Sequence, residues 1–270
     1  MELQQIFEKF HEIASSPRKQ MDRYLLAGNK IVLTAPVYAP EELIHSMGFV
    51  PMGAWGADVE LKNAKEYFPA FLCSVAQSIL ECGMRGTYKG ASAIVIPSLC
   101  DTLKSLGENW KYAVPDIPFI PMTYPQNRRA DYGISYTKAS YRRVIRDLEK
   151  CGGAFSNAAL ADSNAIYNRH NAVMRAAAKM LAGHPEITAS QRSDLFKSAF
   201  FMKKEEHTVL VEKIYTRYPT MLTIPTYSRN QTVAQKPIST CTAHSAAVKR
   251  AVRSRSKRRE SRNISSDSSA

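Results

Sequence analysis

The fold is decided by the stretch Ala91-Ser-Ala-Ile-Val-Ile-Pro-Ser-Leu-Cys-Asp-Thr-Leu-Lys-Ser-Leu106. The run up to Ile96 is short, apolar and rich in β-branched residues, which is typical of a buried strand, and Pro97 is expected to end it. Beyond Cys100 the apolar spacing becomes helical. A strand that leads directly into a helix predicts one unit of a parallel sheet with helices packed on its faces.

The same alternation of short apolar runs and helical spacing occurs on both sides of this stretch. Further strands are predicted at Lys30-Ile-Val-Leu-Thr34, Phe49-Val-Pro-Met-Gly53 and Phe119-Ile-Pro-Met122. Helices are predicted over residues 3–26, 41–47, 68–83, 136–150, 159–181 and 190–215. The sequence therefore predicts an α/β fold whose ligand chemistry gathers at the carboxyl ends of parallel strands.

The N-terminus mixes charged and apolar residues and has no signal-peptide core, and no apolar run approaches the roughly 20 residues that cross a bilayer. We therefore expect a soluble, cytoplasmic protein without disulfides. No Cys-x-x-Cys pair is present, which argues against a self-contained zinc site. Each cysteine is then a buried apolar residue, a reactive thiol or a metal ligand; the five are Cys73, Cys82, Cys100, Cys151 and Cys241.

Three of these cysteines belong to the predicted α/β region. Cys100 follows the clearest strand and begins a helix, where free N–H groups and the helix dipole favour a thiolate. Cys73 lies near the start of another helix, so the two thiols could converge above the sheet. Cys82 would face the opposite side of a regular helix from Cys73, which predicts a packing role. On spacing alone, burial as a small apolar residue remains the alternative to metal binding for each cysteine.

Several motifs in a fixed order resemble the 2-hydroxyacyl-CoA dehydratase family, which also includes benzoyl-CoA reductase subunits. They include Pro36-Val-Tyr-Ala-Pro-Glu-Glu-Leu-Ile-His-Ser-Met-Gly48, Ala64-Lys-Glu-Tyr-Phe-Pro-Ala-Phe-Leu-Cys-Ser74, Ile94-Val-Ile-Pro-Ser-Leu-Cys-Asp-Thr-Leu-Lys104 and Tyr124-Pro-Gln-Asn-Arg128. The sequence that begins at Val37 is more similar to the β-type subunit than to the α-type.

This resemblance implies a doubly wound lobe within an α/β heterodimer, in which each subunit holds a [4Fe–4S] cluster through three cysteines. Cys73 and Cys100 match two of these ligands. The third belongs to a second lobe, in a Lys-Phe-Cys-Asp-Pro motif that this sequence lacks. The implied reaction is the elimination of water from an (R)-2-hydroxyacyl-CoA through a ketyl radical. An ATP-dependent iron–sulfur activator supplies the electron, the β-type cluster relays it, and the substrate binds mainly to the α-type partner.

Together these observations divide the chain into four parts: a helical segment over 1–29, a cluster-binding α/β lobe over 30–150, a helical connecting region over 151–215 and a basic tail over 216–270. The chain carries a net charge of +13, and the tail has 11 Lys or Arg against two acidic residues. The composition of the tail predicts disorder. The resemblance ends near Lys213, so a frameshift read-through that replaces most of the second lobe is expected, with a genuine basic extension as the alternative.

Such a truncation predicts weak or no cluster binding by the isolated chain. Two other functions stay open at this point. A benzoyl-CoA reductase-type subunit would use the same cysteines for the reduction of an aromatic ring. A nucleic-acid-binding protein would use the basic tail to contact phosphates, although the first 215 residues carry nearly balanced charge and no known nucleic-acid module.

Overall fold

Four short apolar runs form a parallel sheet in the computed structural model, which describes residues 2–36 and 38–218. They are β1 (Lys30–Thr34), β2 (Phe49–Gly53), β3 (Ala93–Pro97) and β4 (Phe119–Met122). The strand order is β2-β1-β3-β4, and every pairing is parallel. The strand positions and the parallel α/β class predicted from the sequence are therefore confirmed.

The sheet order creates a switch point between β1 and β3. From β1 the chain passes outward to β2, then crosses back to β3 and continues outward to β4 on the other side. Val32 is opposite Ala93 in this central pair, and Thr34 is opposite Val95. The loops that leave β1 and β3 therefore diverge at the carboxyl edge of the sheet, which is where parallel α/β folds bind ligands.

Helices connect and cover the strands. In chain order they are α1 (Leu3–Ser15), α2 (Pro17–Leu26), α3 (Glu41–Ser46), α4 (Ser74–Met84), α5 (Asp101–Ala113), α6 (Asp131–Lys150), α7 (Asn157–Ala182), α8 (Ala189–Ser198) and α9 (Lys204–Arg217). A short 3-10 turn at Asn63–Glu66 precedes α4. None of the helices in the described residues is long and apolar enough to cross a membrane.

Successive side chains of each strand point into two different apolar cores, as the pleat of a strand requires. Val32 of β1 packs with residues of α3 and α6 on one face of the sheet. Its neighbours Ile31 and Leu33 pack with residues of α1, α4 and α5 on the other face, where α8 and α9 also contribute. Both faces of the sheet are buried, so the lobe is doubly wound as expected.

Two predicted elements begin later than expected. The strand predicted from Ala91 begins at Ala93 and ends at Pro97, as predicted, with Pro97 paired to Met122 of β4. The helix predicted over 68–83 begins only at Ser74. The residues before it form a turn in which Leu72 N donates to Pro69 O at 3.1 Å, and this turn places Cys73 at the helix entrance.

The helices predicted over 3–26 and 190–215 are each two helices. Ser16 separates α1 from α2, and Pro17 occupies the first position of α2, where its missing N–H is tolerated. The second break, between α8 and α9, lies at a tertiary contact: Gly53 N at the end of β2 donates to Phe200 O at 2.8 Å.

The division of the chain into four parts stays a prediction. The described residues all belong to a single compact unit, and both N-terminal helices pack in the core of Ile31 and Leu33 together with residues of α8 and α9. Residues 219–270, on which the predictions of a disordered tail and of a frameshift rest, lie outside the described residues.

Candidate metal centre

Cys100 is the residue at which the chain leaves β3 and enters α5. It is the N-cap of this helix, with extended backbone angles of φ −141° and ψ 166°. Its carbonyl oxygen accepts from Lys104 N at 3.2 Å, which closes the first helical turn. The side chain makes no capping hydrogen bond and is exposed. The thiol is therefore free at the amide-rich end of a helix, where it can reach a ligand outside the fold. Asp101 is the first residue of the helix.

Cys73 occupies the same position on α4. It is the N-cap residue, with φ −63° and ψ 141°, and its side chain is also exposed and makes no capping bond. The turn before it is held by Gln77, a buried residue whose Nε2 donates to Leu72 O at 2.8 Å. The backbone thus fixes Cys73 at the entrance of α4 without using its sulfur.

Helices α4 and α5 pack against each other on the same face of the sheet. Gly83 of α4 meets the indole of Trp110 so closely that an added Cβ would lie 2.9 Å from a ring carbon. Trp110 is fully buried, and its Nε1 donates to Ile117 O at 2.9 Å. The contact fixes how α4 packs against α5 near their C-terminal ends, while Cys73 and Cys100 lie at the opposite, N-terminal ends of these helices.

A buried carboxylate anchors the loop that leads to Cys73. Glu81 of α4 is fully buried and accepts from Ala64 N at 2.8 Å, from Lys62 N at 3.2 Å and from Arg85 Nε at 2.8 Å. Burial by itself would raise the pKa of Glu81, but these hydrogen bonds outweigh it, and the pKa lies below its usual value. Glu81 is therefore an ionised clamp between α4 and the 3-10 turn.

The described residues supply two of the three thiolates that the family resemblance implies. Cys82 is buried in the core, as expected, and burial raises the pKa of its thiol. Cys151 is half-buried near the end of α6, and Cys241 lies outside the described residues. Within residues 2–36 and 38–218 no three His, Cys, Asp or Glu side chains lie together as a metal site. Cys73 and Cys100 alone fall one ligand short of a closed three-cysteine site.

Apolar side chains surround the entrance of α4. Phe71 is 85% exposed and Val75 is 49% exposed, two residues to either side of Cys73. A cavity of 610 Å³ runs along the first turns of the same helix, between Ser74 and Ser78 on one wall and Trp55 on the other. Trp55 is 37% exposed and packs on Phe200 with ring centroids 4.4 Å apart. Exposed apolar groups of this kind mark interaction surfaces.

A second cluster of ionisable side chains lies apart from the cysteines and was not predicted from the sequence. The buried Lys204 of α9 forms a 2.9 Å ion pair with Glu41 of α3, beside Glu42 and His170. Glu41 and Lys204 are 163 positions apart in the sequence. No local pattern in the sequence indicates that they meet.

Comparison with known proteins gives a family match over most of the described lobe. Residues 36–237 match the family model described as 2-hydroxyglutaryl-CoA dehydratase, D-component. This match includes both Cys73 and Cys100. It also extends beyond Lys213, where the resemblance had been expected to end.

Individual relatives agree with this match. The chain is 41% identical over 213 residues to the lactoyl-CoA dehydratase subunit beta of Anaerotignum propionicum, and 38% identical over 211 residues to the (R)-phenyllactyl-CoA dehydratase beta subunit of Clostridium sporogenes. Each alignment covers 77% of this chain and 56% of the relative. A benzoyl-CoA reductase subunit from Thauera aromatica is 25% identical over 187 residues, which cover 68% of this chain and 48% of the relative. The chain thus spans little more than half the length of the curated relatives that it matches.

Proposed function

Because this chain belongs to the 2-hydroxyglutaryl-CoA dehydratase, D-component family, we propose that it acts as the β-type subunit of a 2-hydroxyacyl-CoA dehydratase. In this role Cys73 and Cys100 are two of the ligands of a [4Fe–4S] cluster. The enzyme is a lyase that removes water from an (R)-2-hydroxyacyl-CoA in an anaerobic, cytoplasmic setting.

The observation that supports this proposal is the equivalent position of the two cysteines. Each is the exposed N-cap of a helix, the two helices pack together, and both follow strands of one parallel sheet. A cluster held there supplies low-potential electron transfer, and thiolate ligation with partial burial sets its potential. The described residues contribute two thiolates and the rigid helix pair that holds them.

The third ligand and the substrate site are proposed to lie outside residues 2–218. An α-type subunit binds most of the acyl-CoA, and an ATP-dependent iron–sulfur activator delivers the electron. The exposed Phe71 and Val75 beside Cys73 support a partner at this surface, because burying large apolar side chains under a partner stabilises the complex.

The decisive experiment is anaerobic reconstitution with iron and sulfide, followed by iron analysis and absorbance spectroscopy. We expect the isolated chain to bind well below four irons, since the described residues supply two thiolates. When the chain is co-expressed with an α-type partner, the Cys73→Ser and Cys100→Ser variants should each lose iron relative to the unsubstituted complex. Cys151→Ser is the matched control and should retain it. About four stable irons on the isolated chain would contradict the predicted shortage of ligands. Equal iron in all three variants would show that Cys73 and Cys100 do not bind the cluster.

The acyl group is tested separately with the purified complex and its activator. We expect a lactoyl-, phenyllactyl- or 2-hydroxyglutaryl-CoA substrate to lose water, as the higher identity to dehydratase subunits suggests. Reduction of benzoyl-CoA by the same complex, without dehydration of any 2-hydroxyacyl-CoA, would assign the chain to the reductase branch instead.

A further inference from the structure

A cavity of 340 Å³ lies between α3, α7 and α9 and is lined by neither Cys73 nor Cys100. Its wall includes the polar side chains of Glu41, Glu42 and His170. The volume is at the lower end of the range for small-molecule sites, which typically hold about 300–1,000 Å³. A compact ligand therefore fits it, and the polar groups on the wall decide its chemistry.

A pair of buried histidines presents a hydrogen-bond acceptor in this wall. His207 Nε2 lies 3.0 Å from Leu195 O, which can only accept, so this nitrogen carries a hydrogen. The pKa values of His207 and His170 are lowered to about 4 and about 3, because burial and the nearby Lys204 disfavour the imidazolium. Both rings are thus neutral at pH 7, and His207 Nδ1 must accept from His170 Nε2 at 3.1 Å.

This chain of hydrogen bonds leaves His170 Nδ1 as an unprotonated acceptor. Among the described residues no group donates to it, although the ring is only 4% exposed. A buried acceptor without a donor destabilises the fold, because its hydrogen bond to water is lost and not replaced. The same ring forms part of the cavity wall, but Nδ1 itself has less than 1 Å² of accessible surface. A ligand that carries an N–H or O–H group therefore satisfies it once the ring turns toward the cavity.

The charges around the cavity are unbalanced. Lys204 is neutralised locally, since its Nζ lies 2.9 Å from the Glu41 carboxylate and also donates to Ala199 O at 2.6 Å. Glu42 is a second carboxyl group in the wall and has no salt bridge within the described part of the chain. Burial, together with the neighbouring Glu41, raises the pKa of Glu42. A positively charged ligand would restore the balance.

Aromatic rings complete the cavity. Tyr167, Phe196 and Phe200 line it, and the Nζ of Lys204 already lies 5.6 Å from the centroids of the Tyr167 and Phe200 rings. Such rings favour organic cations through their faces. A metal ion is disfavoured, because no three ligating side chains lie together in residues 2–36 and 38–218.

We propose that this cavity binds a small organic ammonium ion. Its N–H groups bond to the Glu42 carboxylate and to His170 Nδ1, while its hydrocarbon part packs on Phe196 and Phe200. The site requires no iron and no substrate, so it is independent of the proposed dehydratase function, and either assignment can fail while the other stands.

The test is calorimetric titration of the full chain at pH 7.5 with benzylammonium chloride, benzyl alcohol and sodium benzoate. We expect benzylammonium to bind at least about ten times more tightly than benzyl alcohol, and benzoate not to bind. Glu42→Gln should weaken benzylammonium binding by about ten-fold or more. Glu149→Gln, which neutralises an exposed carboxylate on α6, is the matched control and should leave it unchanged.

Nitrogen NMR adds a readout of the histidine itself. Saturation with benzylammonium should move the 15N resonance of His170 Nδ1 upfield, as a new hydrogen bond to this atom requires. Three results would overturn the proposal: no binding by any probe, equal affinity for the ammonium and the alcohol, or unchanged affinity in the Glu42→Gln protein.

Discussion

At the residue scale, the buried ionisable groups of the lobe differ in their charge at neutral pH. Glu81 is ionised and fully enclosed by donors from Lys62, Ala64 and Arg85. His170 and His207 are neutral and linked to each other. Burial penalises the charged form of all three groups, but the hydrogen bonds to Glu81 reverse the effect and those of the histidines do not. Glu81 and the histidines therefore respond to acid over different pH ranges.

Glu81→Gln should destabilise the protein by about 1–3 kcal/mol at pH 7, because buried backbone N–H groups of Lys62 and Ala64 lose a charged acceptor. The pKa of Glu81 is lowered on folding. The stability it adds is thus complete above the unfolded pKa of about 4.3 and is lost as the pH falls through the lower folded value. Urea unfolding measures both effects. Glu66→Gln, an exposed carboxylate in the same 3-10 turn, should change stability by less than about 0.5 kcal/mol, and an equal loss in both variants would refute the clamp.

The histidine pair should make the fold sensitive to mild acid. Their folded pKa values of about 3 and about 4 lie below the unfolded value of about 6.5. Stability is therefore complete above pH 6.5 and decreases as the pH falls toward 4, because the unfolded chain binds protons that the folded chain rejects. We expect a loss of about 1–2 kcal/mol per histidine between pH 7 and pH 5. Urea unfolding at the two pH values checks this, and equal free energies of unfolding would contradict it.

At the element scale, the sequence was informative where local pattern decides the structure. All four strands are short apolar runs, and Cys73 and Cys100 were correctly expected at the starts of helices. The break between α8 and α9 was not predictable, because residues 199–203 contain neither Gly nor Pro and the contact that accompanies it comes from Gly53. The cavity between α3, α7 and α9 was missed for the same reason: its residues meet only through tertiary packing.

The contact between α4 and α5 should not tolerate a larger residue at position 83. Gly83→Val places side-chain atoms against the buried Trp110 and Val114, neither of which has free space. We expect a loss of about 2 kcal/mol from overpacking, which exceeds the small gain in helix propensity. In the complex with an α-type partner, the displaced helix entrances should also lower the iron content.

Thermal and urea unfolding measure the first effect, and iron analysis measures the second. Gly183→Val is the matched control, because a Cβ at Gly183 comes no closer than 3.5 Å to any neighbour. A Gly83→Val protein as stable as the control would show that the two helices can move apart without cost.

At the scale of the whole molecule, exposed apolar residues lie at both edges of the sheet. Phe71 and Val75 flank Cys73 at the carboxyl edge of the sheet, whereas Leu26, which is 89% exposed, lies at the amino edge just before β1. In our proposal the carboxyl edge meets the partner subunit, so these two surfaces should differ in function although both are apolar.

Phe71→Ser should weaken association with an α-type partner by about ten-fold or more, since a large aromatic side chain at the centre of an interface contributes about 2 kcal/mol or more. Leu26→Ser removes a similarly exposed side chain from the opposite edge and should leave association unchanged. Sedimentation or calorimetric titration of the two proteins measures the affinities. Equal affinities for both variants would place the partner elsewhere.

The two outermost strands share a feature that limits how this sheet can grow. In the β3–β4 ladder Ile94 N donates to Pro118 O and Ser98 N donates to Met122 O. The backbone nitrogen of the intervening Pro121 therefore faces away from β3, toward the open side of β4. Pro51 holds the corresponding place in β2, opposite Val32. A proline has no amide hydrogen to offer. An incoming strand would thus find a gap in the donors along either margin, which is a recognised defence against edge-to-edge aggregation. Assembly with other chains must then rely on side chains and loops, not on a shared backbone ladder.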